Sequence, residues 1–211
     1  MTVYIEKPAI LLREELASLR NQGGYQEQQF YFDSLVTNGT FDSDTAWSKG
    51  TGWTISGGVA TKASGVSSVL EQDIGGADHK TYKVSVTATR TAGVLYVRYG
   101  GNTNQGSLST SGDFSFDLTK EALDGKVRFV ADGSFAGTVD NISVFEVDAN
   151  DDVIHTMPKG WKPKDVFEDG LLQREGAAHD YEVVYDGFDY FVKPTVAPSA
   201  TTQTCVIGVK A

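Results

Sequence analysis

The stretches Thr81-Tyr82-Lys83-Val84-Ser85-Val86-Thr87-Ala88-Thr89 and Val94-Leu95-Tyr96-Val97-Arg98-Tyr99 decide the fold class. In the first, Tyr82, Val84, Val86 and Ala88 occupy every second position. That is the period of a strand with one face in a core and one in water. The second is apolar at Val94, Leu95, Tyr96, Val97 and Tyr99, as expected of a strand covered on both faces. Alternation returns downstream at Phe114, Phe116 and Leu118, and again at Val127, Phe129 and Ala131, with a last run over residues 139–147. Between the runs lie Gly57-Gly58, Gly75-Gly76, Gly100-Gly101-Asn102, Ser111-Gly112, Asp124-Gly125 and Asp132-Gly133. Such pairs supply the left-handed backbone of tight turns. Short strands punctuated in this way predict a β-sandwich or jelly roll over residues 35–147.

Toward the N-terminus the period changes. Ala9, Leu12, Leu16 and Leu19 recur at spacings of 3, 4 and 3 behind Pro8, a residue that the first helical turn tolerates. This heptad-like stripe predicts a helix over residues 5–20. A lone helix of that length is marginal in water, so the stripe is expected to be an anchor or oligomer interface. Asn21-Gln22-Gly23-Gly24 stops it, and the chain to residue 34 reads as a linker or docking strand.

Beyond the sandwich, Asp148-Ala149-Asn150-Asp151-Asp152 starts like a calcium loop, but Val153 stands at the turn glycine and Lys159 at the closing glutamate. It reads as a linker. Residues 148–211 hold a hairpin at Asp169-Gly170, a second at Asp186-Gly187 and a closing strand near Cys205–Val209, enough for a small sheet. The expected architecture is therefore mainly β: an N-terminal helical anchor and linker (1–34), a central jelly-roll β-sandwich (35–147) and a small C-terminal β-domain (148–211).

Composition excludes several function classes. The 211-residue chain has 28 acidic and 18 basic residues, a formal charge of −10, which argues against nucleic acid and anionic lipid as partners. Cys205 is the single cysteine, so an internal disulfide and a cysteine-based zinc site are excluded. No stretch of about 20 apolar residues could span a membrane. The N-terminal twenty residues lack the form of a secretory signal, so synthesis in a reducing cytoplasm is expected. No H-E-x-x-H, G-x-S-x-G or Walker A pattern occurs. His79, His155 and His179 stand apart from one another. The expectation is a protein without catalytic residues.

Two resemblances go further. Leu35-Val36-Thr37-Asn38-Gly39-Thr40-Phe41-Asp42 and Val139-Asp140-Asn141-Ile142-Ser143-Val144 match the opening and closing motifs of the jelly-roll carbohydrate-binding-module superfamily, galactose-binding-like sandwiches. Trp47, Gly52-Trp53, Gln72-Asp73-Ile74 and residues 82–86 fall between them in the expected order. Val166-Phe167-Glu168-Asp169-Gly170-Leu171-Leu172, Gly176, Asp180-Tyr181-Glu182-Val183 and Ala197-Pro198 resemble a β-module of tailed-phage fibre and appendage proteins, with Ala177-Ala178-His179 as a short insertion. Residues 4–19 are similar to leader segments of phage virion proteins. These resemblances imply a structural virion protein, a capsid decoration or short appendage made in the host bacterial cytoplasm. Its partners would be copies of itself, as a trimer, and other virion proteins of the capsid or tail. The alternative is a tail-fibre adaptor or receptor-binding module for host surface glycan, and a third reading is a bacterial sugar-binding accessory domain.

For a glycan, stacking and hydroxyl recognition would fall to Trp53, Tyr96, Tyr99, Asn102, Asn104 and Gln105, although Trp53 reads more readily as core and Tyr99 reads as either. For cofactors, the resemblance implies a structural calcium held by Asp42 and Asp140; the competing reading has Asp140 accepting backbone N–H groups at a strand end.

Overall fold

The alternating stretch from Thr81 is one long strand, β6 (Thr81–Ala92), with Tyr82, Val84, Val86 and Ala88 buried along one side. The structure is a computed structural model and describes residues 27–150, 152–176, 179–199 and 201–210. Strand β6 pairs antiparallel with β11 (Ala136–Glu146) and β9 (Gly112–Thr119). With β3 (Trp53–Ser56) and β4 (Val59–Lys62), these make a five-stranded sheet in the order β3-β4-β11-β6-β9. A second five-stranded sheet takes β2 (Ser48–Lys49), β5 (Ser68–Asp73), β10 (Lys126–Ala131), β7 (Leu95–Tyr99) and β8 (Gly106–Leu108), in that spatial order.

The two sheets share one core. Leu70, Val97 and Phe129 from the second sheet, and Val84, Val139 and Leu118 from the first, are fully buried in it. Each such side chain gains about 1.5–3 kcal/mol by leaving water, which is what holds the sandwich shut. Strand β7 departs from its expected reading. Only Leu95, Val97 and Tyr99 point inward, while Tyr96 and Arg98 are half-buried on the outer face. Its near-continuous apolar run is a one-sided strand.

The opening and closing motifs meet. Ile142 donates its N–H to the Gly39 carbonyl at 2.9 Å, and Leu35 donates to the Val144 carbonyl at 3.0 Å. A β-carbon at Gly39 would lie 2.0 Å from the Ile142 oxygen, so only glycine lets the strands approach. Phe41 is buried against Trp47 at 5.3 Å, and Trp47 Nε1 donates to the Asn38 carbonyl at 3.0 Å.

The C-terminal part forms two small sheets. One is β1-β17-β13-β14, from β1 (Glu27–Tyr31), β17 (Thr204–Lys210), β13 (Trp161–Glu168) and β14 (Leu171–Leu172). The other is β12-β16-β15, from β12 (His155–Thr156), β16 (Tyr190–Pro194) and β15 (Tyr181–Tyr185). The Asp169-Gly170 turn has φ of 49° and 81°, the left-handed pair that a tight hairpin requires. Around the acidic turn, the Asp148 carboxylate accepts the N–H groups of Asn150 and Asp152, and Lys193 Nζ lies 2.5 Å from Asp152.

The expected fold class is corrected in one respect. Among the described residues every regular element is a strand, so the architecture is all β rather than β with an N-terminal helix. The stripe Ala9, Leu12, Leu16 and Leu19 lies outside the described residues. Seam spacing over two repeats measures only the capacity to bury one side of a helix, and it becomes structure only where a surface covers that side.

Candidate functional site

The outward residues of the second sheet form one polar face. Because β7 turns Leu95, Val97 and Tyr99 inward, Tyr96 and Arg98 stand outward. Arg128 on β10 lies opposite Arg98 on one side and Glu71 on the other, and Val130 lies opposite Tyr96. Glu71 accepts from Arg128 Nε at 2.9 Å and from Lys126 Nζ at 2.5 Å. Arg128 also donates to the Gly101 carbonyl at 3.1 Å and is ion-paired with Asp124. The hydrogen bond from Arg128 holds the Asp124 carboxyl below the usual carboxylate range, and the same contact raises the guanidinium.

Arg98 differs from its neighbour. Its Nε donates to Asn104 Oδ1 at 2.7 Å, and among the described residues no carboxylate pairs with it. Two cross-strand arginines therefore share one face, the first neutralised by two carboxylates and the second held by an amide. A half-exposed phenol ring beside an uncompensated guanidinium can stack and can donate hydrogen bonds to oxygen.

The expected glycan residues do not gather at one place. Trp53 is 4 % exposed and packs against Phe135 at 6.4 Å, with its Nε1 lacking a partner among the described residues. Tyr99 is fully buried, and its hydroxyl donates to the Gly75 carbonyl at 2.9 Å. Burial pushes that phenol well above its ordinary pKa. Both rings belong to the core and are not available to a ligand, because a flat, large ring fills the gap between facing sheets. Tyr96 stands on the outer face, and Asn104 is tied to that face by accepting from Arg98. Asn102 is exposed on the adjoining loop. Gln105 is half-buried and turns inward, donating to the Thr119 carbonyl at 2.8 Å. That contact, with Gly100 donating to the Lys126 carbonyl at 2.9 Å, ties the 100–106 loop down.

The two carboxylates proposed for calcium are each engaged locally. Asp42 accepts from the Thr40 hydroxyl at 2.7 Å, and Asp140 accepts the Asn141 N–H at 2.6 Å. Among the described residues no group of three or more His, Cys, Asp or Glu side chains is placed to hold a metal ion.

Arg98, Arg128 and Glu71 escaped the sequence reading. The alternation of Arg98 with Val97 and Tyr99 was the available signal, masked by the apolar neighbours Val94 and Tyr96. His155 escaped as well. It is 4 % exposed, stacked on Phe32 at 5.2 Å and edge-on to Phe145 at 6.2 Å, with Nε2 lacking a partner among the described residues. Desolvation pulls its pKa down to about 4. It lines a cavity of about 310 Å³ where the C-terminal strands meet the sandwich at Tyr82 and Val144.

No family model matches the chain, and no curated protein matches it. A solved structure called "CBM4 structure and function" is similar over 56 % of this chain and 86 % of its own length, at 17 % identity and a TM-score of 0.33.

Proposed function

We propose that the protein is a non-catalytic structural subunit of a tailed-phage particle, a capsid decoration or short appendage protein that assembles with copies of itself. The observation that carries this reading is an imbalance in the C-terminal part. Its buried cluster is Met157, Val166, Tyr181, Val192 and Val206. Against that small interior, Leu171, Leu172 and Val196 stand between 61 % and 78 % exposed. A sheet with so little core and so much apolar surface suits a subunit contact better than a free surface. Leu171 and Leu172 form β14, a two-residue strand at the rim of its sheet, and an open strand edge readily accepts a second chain. The fibre-module pattern of residues 166–183 supports the particle as the place of assembly.

A second reading, recognition of host surface glycan through the sandwich, is favoured by Tyr96 beside the Arg98–Asn104 pair. Multi-angle light scattering at micromolar concentration tests the first. The expected result is a trimer that the double substitution Leu171→Asp, Leu172→Asp converts to monomer without loss of the melting transition. Wild-type protein that stays monomeric would overturn it.

A further inference from the structure

We infer that the C-terminal part carries a binding site for a single neutral sugar ring, between the Pro158–Trp161 turn and the hairpin tip at residues 185–190. The two turns enclose a depression of about 260 Å³. Trp161, Tyr185, Phe188 and Tyr190 supply its rings, and Lys159 and Asp189 its charged groups. Phe188, at the tip, is 85 % exposed, and Tyr185 is 55 % exposed. Tyr185 and Phe188 are costly to leave in water, while Trp161 and Tyr190, half-buried against the small core, complete the wall of the depression.

The depression is built and held. Asp186 closes the hairpin tip by accepting the N–H groups of Phe188 and Asp189 at 2.8 and 2.9 Å. Tyr185 donates its hydroxyl to the Gly187 carbonyl at 2.9 Å, and its ring lies 4.6 Å from that of Tyr190. Met157 donates to the Tyr190 carbonyl at 2.8 Å and Trp161 to the Pro158 carbonyl at 3.0 Å, which locks the second turn against the first. Trp161 packs edge-on against Phe30 at 5.1 Å, and Lys210 Nζ lies over its ring. Neither Lys159 nor Asp189 has a side-chain hydrogen bond or ion pair among the described residues, to each other or to a third group.

A sugar ring matches that arrangement. Its C–H face lies on aromatic rings, and its hydroxyls accept from an ammonium and donate to a carboxylate. Lys159 and Asp189 balance in charge, as do Lys210 over Trp161 and Asp186 at the hairpin tip. The chain carries −10 overall, so a neutral sugar is favoured over an acidic one. The small volume holds one ring rather than a peptide segment.

Saturation-transfer NMR with methyl β-glucoside, methyl β-galactoside, methyl α-mannoside and methyl β-N-acetylglucosaminide tests the inference on the full chain. At least one glycoside should receive saturation, strongest at the C–H protons of one face. Phe188→Ala and Tyr185→Ala should each weaken that binding about tenfold, whereas Tyr96→Ala on the sandwich should leave it unchanged. Transfer to none of the four would overturn the inference, as would transfer that survives both substitutions. So would a Phe188→Ala protein that loses its oligomeric state, because the tip would then be a contact between copies; that result would leave the structural-subunit reading standing.

Discussion

Tyr99→Ala separates a core ring from a sugar platform. The ring is fully buried between the sheets, edge-on to Tyr82 at 5.0 Å, with its hydroxyl on the Gly75 carbonyl. Truncation empties that volume and removes the hydrogen bond to the Gly75 carbonyl. Aromatic-to-alanine changes in cores cost about 3–5 kcal/mol, and the lost hydrogen bond adds about 1 kcal/mol. For a sandwich of this size that is a fall in Tm on the order of 15 °C. Tyr99→Phe keeps the ring and removes only the hydroxyl, so its cost should be about 1–2 kcal/mol. Urea unfolding followed by tryptophan fluorescence reads both variants, because Trp47 and Trp53 are buried in the same core. A thermal melt supplies the second probe. Tyr99→Ala protein that melts within about 3 °C of wild type would refute the assignment to the core and return the ring to the ligand candidates.

Two further predictions concern the junction and the motif ends. Above pH 6.5 both folded and unfolded chains keep His155 neutral; as the pH falls, the unfolded chain takes up a proton first, because burial holds the folded pKa near 4. Stability should therefore be complete above pH 6.5 and decline by up to about 3 kcal/mol toward pH 4. His155→Phe should flatten that part of the urea-midpoint profile, and a profile unchanged by the substitution would remove His155 from the acid limb. Gly39→Ala places a methyl 2.0 Å from the Ile142 oxygen and should destabilise the sandwich by about 1–3 kcal/mol, read as a lower Tm; an unchanged Tm would mean that the two motif strands can part freely.

Much of the sandwich was legible because its determinants are local. The period of two in residues 81–89 and 126–131 states which side chains face inward, and Asp169-Gly170 states its turn through φ alone. What remained hidden depends on register between distant segments. Glu71 meets Arg128 across 57 positions, and Phe32 meets His155 only after the C-terminal strands fold back onto β1. Neither pairing leaves a periodic trace. Trp53 and Tyr99 were ambiguous for another reason, since an aromatic on a strand can serve either face until the partner sheet is known.

The same geometry explains where binding chemistry can reside. In the sandwich, two facing sheets provide a gap wide enough to take Trp47, Trp53, Tyr82 and Tyr99, and all four are spent inside it. The C-terminal sheets enclose far less, with one small buried cluster behind Trp161 and Tyr190. A unit of about 60 residues cannot cover all of its apolar surface, so aromatics at its turns remain on display unless something else covers them. Aromatic side chains cluster at the 158–161 and 185–190 turns, where two of them are more than half exposed. A ligand or a neighbouring subunit is therefore expected first at the smaller unit, and the buried rings of the larger one act only by keeping it folded.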